Sequence, residues 1–283
     1  MKTTVLTVEA VGPCSHAYLV DGGRPHRRAA GIAGGGAADP AAARAANDLL
    51  DQAPTHCCLE VTLRGGRWLL SGRGQFALTG ADMNWRLNGN PVDRYSLVYL
   101  DGDYLLTGGT ALAGCRAYLG IRGRWQLPQV LGSVELGVPG AVGLAALPPI
   151  AVTSSQEVGF RNRLLPTYPA FATPTTLTAT PGPEWNWLGE AARRALLGQS
   201  LYVDPASNRQ GIRLRMTGVL PTLPSLISSP VLPGTVQLTP AGPILLGPDA
   251  QTVGGYPRVL HVRRPGPAFQ LRPGQALRFR MQP

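Results

Sequence analysis

The 283-residue chain carries 26 Lys+Arg against 16 Asp+Glu, a formal net charge of +10, and 44% of it is hydrophobic. That length and apolar share suffice for one large domain or two modest ones, each with a proper core. Lys2 is the only lysine, which excludes an internal pyridoxal Schiff base, a lysine nucleophile, a biotin- or lipoate-carrying lysine and a Gly-x-x-x-x-Gly-Lys phosphate loop.

With 36 glycines and 27 prolines punctuating short apolar stretches, the chain reads as a turn-rich β protein. The first strand is expected over residues 4–11, ended by Gly12-Pro13, and a glycine-rich loop over 21–36. Asp39 as N-cap and Pro40 at the first helical position announce a helix through Leu50. Residues 58–63, 67–71 and 75–79 read as short strands separated by glycine-containing turns. Strands at 85–87 and 92–99 follow, with Asn88-Gly89 a hairpin signal between them. Residues 104–106 and 115–121 complete the first unit. The least patterned stretch, 137–183, holds the domain boundary, placed between residues 150 and 151. A second helix is expected over 184–197, stopped by Gly198, then strands at 200–203, 211–216, 235–238, 243–246, 258–262 and 276–280. The fold class is mainly β: two β-barrel-like units, 1–150 and 151–283, each carrying one main helix.

The arginines are scattered singly, and the densest runs, Arg27-Arg28, Arg193-Arg194 and Arg263-Arg264, are mere pairs. A solvated basic surface is the expected reading, with no nucleic-acid partner; anionic substrates or acidic partners are the alternative. Cys14, Cys57, Cys58 and Cys115 lack C-x-x-C spacing and are expected as free thiols in a reducing cytoplasm. His56-Cys57-Cys58 is not read as a metal site, because neighbours in a strand point to opposite faces. The first residues lack the apolar core of a signal peptide, and residues 136–152 are broken by Pro139, Pro148 and Pro149. A cytoplasmic protein without a membrane partner is expected. His16, His26, His56 and His261 have no triad context and no Gly-x-Ser-x-Gly elbow occurs, which argues against a serine hydrolase.

Residues 229–258 contain Val231-Leu232-Pro233-Gly234-Thr235-Val236-Gln237, then Pro243-Ile244-Leu245-Leu246, then Asp249-Ala250-Gln251-Thr252-Val253-Gly254-Gly255-Tyr256-Pro257. This series resembles the signature of the 5-oxoprolinase C-subunit family, shared with allophanate hydrolase subunit 2 and the biotin-dependent carboxyltransferases. Asp21-Gly22-Gly23-Arg24-Pro25, Leu78-Thr79-Gly80-Ala81-Asp82 and Ser207-Asn208-Arg209-Gln210-Gly211 match three further family blocks, with Val20, Asn208 and Gln210 as departures. Ala250 departs too, and 137–171 matches poorly. The resemblance implies cyclophilin-like β-barrels and a multi-subunit enzyme that opens 5-oxoproline to glutamate at the expense of ATP. Its partners are then subunits A and B and a small lactam or amide substrate, with ATP held together with those partners. Biotin enters only in the carboxyltransferase alternative. A non-catalytic regulatory binding protein is the rival from another class.

The resemblance marks Asp249, Tyr256 and Arg258 as candidate catalytic residues. Gln251, Thr252, Gly254, Gly255, Arg209, Gln237, Asp21 and Arg24 become candidate substrate contacts, with no metal ligands. The paired glycines suit close backbone approach to an oxyanion or phosphate, while Arg258 adds charge and Tyr256 a hydroxyl. Each has a plainer reading. Gly254-Gly255-Tyr256-Pro257 also suits a tight turn before a strand, Asp249 after Pro248 a turn residue, and Arg209 a solvated strand end. Asp39 is accounted for as a helix cap and Asp82 as a turn residue, while Asp21 and Arg24 suit an ion pair within their loop.

Overall fold

The computed structural model describes residues 3–12, 16–138, 144, 147–155, 171–218 and 221–282. Lys2, Cys14 and most of the poorly patterned stretch before Phe171 therefore lie outside the described residues. The chain divides into two compact units, Met1–Gly23 with Asp39–Ala170, and Arg24–Ala38 with Phe171–Pro283. The boundary expected between residues 150 and 151 falls inside a strand, Ile150–Ser154, which is held by Thr4–Ala10 through five paired positions. The second unit also takes residues 24–38 from the N-terminal loop, an exchange that no local pattern announces.

The first unit is a curled half-barrel of antiparallel strands. Its elements are β1 (Thr4–Ala10), β2 (Ala17–Val20), α1 (Pro40–Leu49), β3 (Cys58–Thr62), β4 (Arg64–Asp82), β5 (Arg86–Leu87), β6 (Asn90–Pro91), β7 (Leu97–Thr110), β8 (Ala113–Ile121), β9 (Arg124–Trp125) and β10 (Ile150–Ser154). The strand order is β2-β3-β8-β4-β1-β10-β9, with β7 and the β5–β6 hairpin branching from β4. Two pairs of expected short strands are single long ones. β4 runs unbroken through Gly72 and Gly74, and β7 spans both 97–99 and 104–106. The glycines mark a change of partner rather than a turn. Before them β4 pairs β1 (Leu6↔Gly72), and after them it pairs β8 (Phe76↔Ile121). Gly72 takes φ +111, and a Cβ there would strike the Val5 carbonyl oxygen. Only glycine allows that crossing.

α1 forms as its end signals require. The Asp39 carboxylate accepts from the Ala41 and Ala42 amides at 3.2 and 3.3 Å, and Pro40 occupies the position that needs no donor. The Asp39 amide donates to the Tyr118 hydroxyl at 2.7 Å, and that hydroxyl donates to Glu60 Oε2 at 2.9 Å. A buried polar chain thus ties the helix start to β8 and β3. Burial, then the Glu60 charge, holds the Tyr118 hydroxyl well above its ordinary pKa, so it stays a neutral donor. The core includes Leu6, Val8, Trp68, Phe76, Leu78, Leu119 and Ile121, contributed by alternate positions along the strands.

The second unit is a closed seven-stranded barrel in the order β11-β18-β15-β16-β13-β12-β19. Its strands are β11 (Thr175–Pro181), β12 (Leu201–Val203), β13 (Gly211–Arg215), β14 (Ser229–Pro230), β15 (Thr235–Thr239), β16 (Gly242–Leu246), β17 (Val253–Gly254), β18 (Arg258–Val262) and β19 (Ala276–Met281). β11 and β19 close it by running parallel, and β14 pairs β17 as a separate two-residue ribbon. The helix, α2 (Glu190–Gly198), starts later than expected because Trp185–Trp187 forms a 3₁₀ turn first. Leu177, Leu201, Ile212, Val236, Leu245, Leu260, Phe269 and Phe279 build the core, together with Ala38. Among the described residues no helix is long and apolar enough to cross a membrane.

Candidate functional site

The segment that carries the signature, 249–258, leaves β16, passes through the β14–β17 ribbon and enters β18. Its geometry follows from what each side chain can reach. Asp249 is gripped by Arg209, whose Nε donates to Oδ2 at 2.7 Å and whose Nη2 donates to Oδ1 at 2.9 Å. Nη2 also reaches the Gly36 carbonyl at 2.8 Å, and the Asp249 amide donates to the Arg209 carbonyl at 3.3 Å. Arg209 is buried while the Asp249 side chain keeps about a third of its surface. With both oxygens in a guanidinium fork, the Asp249 carboxylate is held in one orientation. Arg209 is therefore no solvated strand end.

Gln237 joins the loop at a second point. Its Nε2 donates to the Tyr256 carbonyl at 3.2 Å, and its Oε1 accepts from Gln251 Nε2 at 3.3 Å. A Cβ on Gly254 would lie 2.6 Å from Gln237 Nε2, so a larger residue there would push the Gln237 amide aside. Gly255 accepts from the Leu226 amide at 2.8 Å, and Thr252 from the Val231 amide at 3.0 Å. Gln251 and Tyr256 remain exposed. Ala250 packs against Val231 and Leu246, which accounts for an alanine at that departure.

Arg258 opens β18 but is not an unengaged cation. Its Nε and backbone amide donate to Glu184 Oε2 at 3.0 and 2.8 Å, its Nη2 to Oε1 at 2.7 Å, and its Nη1 to the Pro230 carbonyl at 3.0 Å. These hydrogen bonds hold the Glu184 carboxyl below the usual range and raise the arginine's pKa. The candidate catalytic arginine thus fastens the ribbon and the 3₁₀ turn to the barrel. No sequence signal singles out Glu184, since its setting after Gly182-Pro183 reads only as the start of a helix.

Arg28 is the other residue without a signal of its own. Its Nη2 donates to the carbonyls of Val231 and Gln251, both at 2.6 Å, and its Nη1 to that of Ala250 at 3.4 Å. Burial lowers its pKa from the ordinary arginine value. The Arg27-Arg28 doublet has the composition of surface charge, and only the tertiary fold shows that its second member clamps the signature loop.

Arg24 is buried in the same unit, and its amide donates to the Gly34 carbonyl at 2.6 Å. Asp21 belongs to the other unit. Asp21 accepts from the Gly23 amide, the Ser133 hydroxyl and the Val134 amide at 2.8, 2.7 and 3.0 Å. It serves as a turn anchor. Asp82 does likewise, accepting from the Asn84 amide at 3.0 Å. Burial pushes the Cys58 thiol up to about 12, so it carries no thiolate for nucleophilic attack.

Asp249 and Arg209, Gln251 and Gln237, and Gly254 and Tyr256 therefore gather in one unit around one loop. Residues 30–281 match the carboxyltransferase domain family, subdomains A and B. The chain belongs to the carboxyltransferase domain family. Within that family it is 33% identical over 252 residues to the C subunit of 5-oxoprolinase from Escherichia coli, covering 84% of this chain and 79% of that one. The protein of the same name from Haemophilus influenzae is 28% identical over 273 residues, covering 94% and 88%. Urea amidolyase of Saccharomyces cerevisiae is 31% identical over 137 residues, 48% of this chain and 8% of that one. The crystal structure of TTHA0988 superposes with a TM-score of 0.84 at 25% identity, covering 98% of this chain. This chain spans just over half, 56%, of the length of that solved protein. The mainly β fold of two units is thus a carboxyltransferase-domain fold.

Proposed function

We propose that the chain is a subunit of an ATP-dependent 5-oxoprolinase that opens the lactam 5-oxoproline to glutamate, with an active site completed by partner subunits A and B. The observation that carries this reading is similarity to two 5-oxoprolinase C subunits over most of both chains, with the signature loop present apart from Ala250. A five-membered lactam is a poor electrophile near neutral pH. ATP transfers its γ-phosphoryl group to the carbonyl oxygen and leaves as ADP. Water then attacks the carbon, the ring C–N bond breaks with the nitrogen taking up a proton, and a second water displaces phosphate to leave glutamate. In this reading the Gln251 amide and Tyr256 hydroxyl orient the substrate at the exposed rim of the loop. The Asp249–Arg209 pair presents a fixed carboxylate to a substrate N–H or to the attacking water. Arg258 acts indirectly, by holding the loop. The lone lysine and missing phosphate loop leave ATP to be held with the partners.

Glutamate formation from 5-oxoproline and ATP tests this directly. Activity is expected when the chain is combined with subunits A and B and absent when it is alone. Full activity from the lone chain would overturn the shared site. Asp249→Asn is expected to lower kcat at least ~100-fold with the fold retained, the scale set by lost electrostatic stabilisation; wild-type turnover would remove Asp249 from the site.

The urea amidolyase match favours a second reading, transfer of a carboxyl group from carboxybiotin to an amide. The chain has no internal lysine for biotin, so the carrier would be another domain. Carboxylation of urea by the chain supplied with carboxybiotin, without turnover of 5-oxoproline, would select that reading.

A further inference from the structure

The first unit contains a cleft of about 740 Å³ whose lining includes Arg64, Arg67, Arg86, His16 and Asn84 but no aspartate or glutamate. Three arginines lining one cleft without an acidic neighbour need an explanation, because like charges gathered together repel. The register places them. Arg67 of β4 and Arg86 of β5 both pair with Thr107 of β7, one from each side. The three residues form a row across the sheet, which puts the two arginine backbones roughly 10 Å apart, two strand spacings. Arg64 precedes Arg67 by three positions, and strict alternation would send it to the opposite face. Gly66, at φ +74, lies between them, and both arginines line the same cleft.

Gly65 and Gly108 also line the cleft, and neither could carry a side chain, because a Cβ there would strike the facing strand and the buried Trp85 ring. Elsewhere, buried or half-buried arginines meet carboxylates: Arg94 with Asp82, Arg209 with Asp249, Arg258 with Glu184. Among the described residues no carboxylate pairs with Arg64, Arg67 or Arg86; Arg86 donates to the Gly89 carbonyl at 2.9 Å. Planar guanidinium forks spaced along a cleft match the oxygens of linked phosphates; the Thr107 hydroxyl between two of them donates to the Arg86 carbonyl at 3.5 Å. None of these arginines lies in the segments that carry the family resemblance.

We propose that this cleft binds a small molecule bearing two or more linked phosphate groups. The proposal is independent of the lactam reading, since the cleft uses none of the signature residues. Calorimetric titration of the full chain with inorganic pyrophosphate at low salt tests it. Saturable binding is expected, weakened roughly tenfold or more by Arg67→Gln and by Arg86→Gln, each a loss of charge-assisted hydrogen bonds. Arg278→Gln, an exposed arginine of β19, is expected to leave it unchanged. ATP in place of pyrophosphate identifies the source. Equal affinity means that the phosphates alone are read, and tighter binding means that the nucleoside adds contacts. No saturable pyrophosphate binding, glutamate binding as tightly as pyrophosphate, or equal weakening by Arg278→Gln would overturn the proposal.

Discussion

The Glu184 carboxylate accepts three hydrogen bonds from a single residue, the backbone amide, Nε and Nη2 of Arg258. Because this lowers the carboxyl pKa in the folded state, the pair's stabilisation is fully present above the ordinary glutamate range. It is lost as the pH falls through the lowered folded value. Glu184→Gln is expected to cost about 3 kcal/mol at pH 7, the lower end for a broken buried pair, since Arg258 keeps some exposure. Urea denaturation at pH 7 and below pH 4 checks it: the deficit against wild type should shrink in acid. An equal deficit at both pH values would mean that shape, not charge, sets the cost. Arg258→Ala probes this fastening and is therefore a poor test of chemistry, whereas Asp249 and Gln251 report on the site itself.

At the scale of elements, α1 shows how far local signals reach. Asp39 caps two amides and Pro40 fills the donor-free position. Asp39→Ala is expected to lower stability by about 1 kcal/mol and Asp39→Asn by much less, because an amide oxygen still accepts. Chemical denaturation of both variants distinguishes capping from a role of the carboxylate charge. β4 shows the converse. Gly72 and Gly74 have the composition of a turn, yet they lie within a 19-residue strand because β1 crosses there at a distance only glycine tolerates. The hairpin at Asn88-Gly89 is legible in the sequence, since both residues take positive φ as the tight turn demands.

For the molecule as a whole, the two units are not consecutive in sequence, and that sets how the chain can be divided. Fragments 1–150 and 151–283 would remove nearly all of β10 from its pairing with β1 and deprive the second unit of Arg28. Each is expected to give broadened NMR spectra or to aggregate, with β1 left as an open edge. A well-dispersed spectrum from fragment 151–283 alone would show that the Arg28 clamp is dispensable for folding.

The mainly β class, α1 with its cap, most barrel strands and the signature loop were determined by sequence, because turn chemistry, apolar periodicity and end signals act over a few residues. Tertiary structure decided the rest. Arg258 became a fastener when Glu184, 74 positions away, came within hydrogen-bonding distance, and Asp249 a clamped anion when Arg209, 40 positions away, did so. Arg28 left the surface class when its guanidinium met carbonyls more than 200 positions on. The arginine row arose when Thr107 paired with Arg67 and Arg86 at once. Charge and hydrogen-bonding capacity are written residue by residue, but which groups engage each other depends on strand register and chain crossing, which no local pattern specifies.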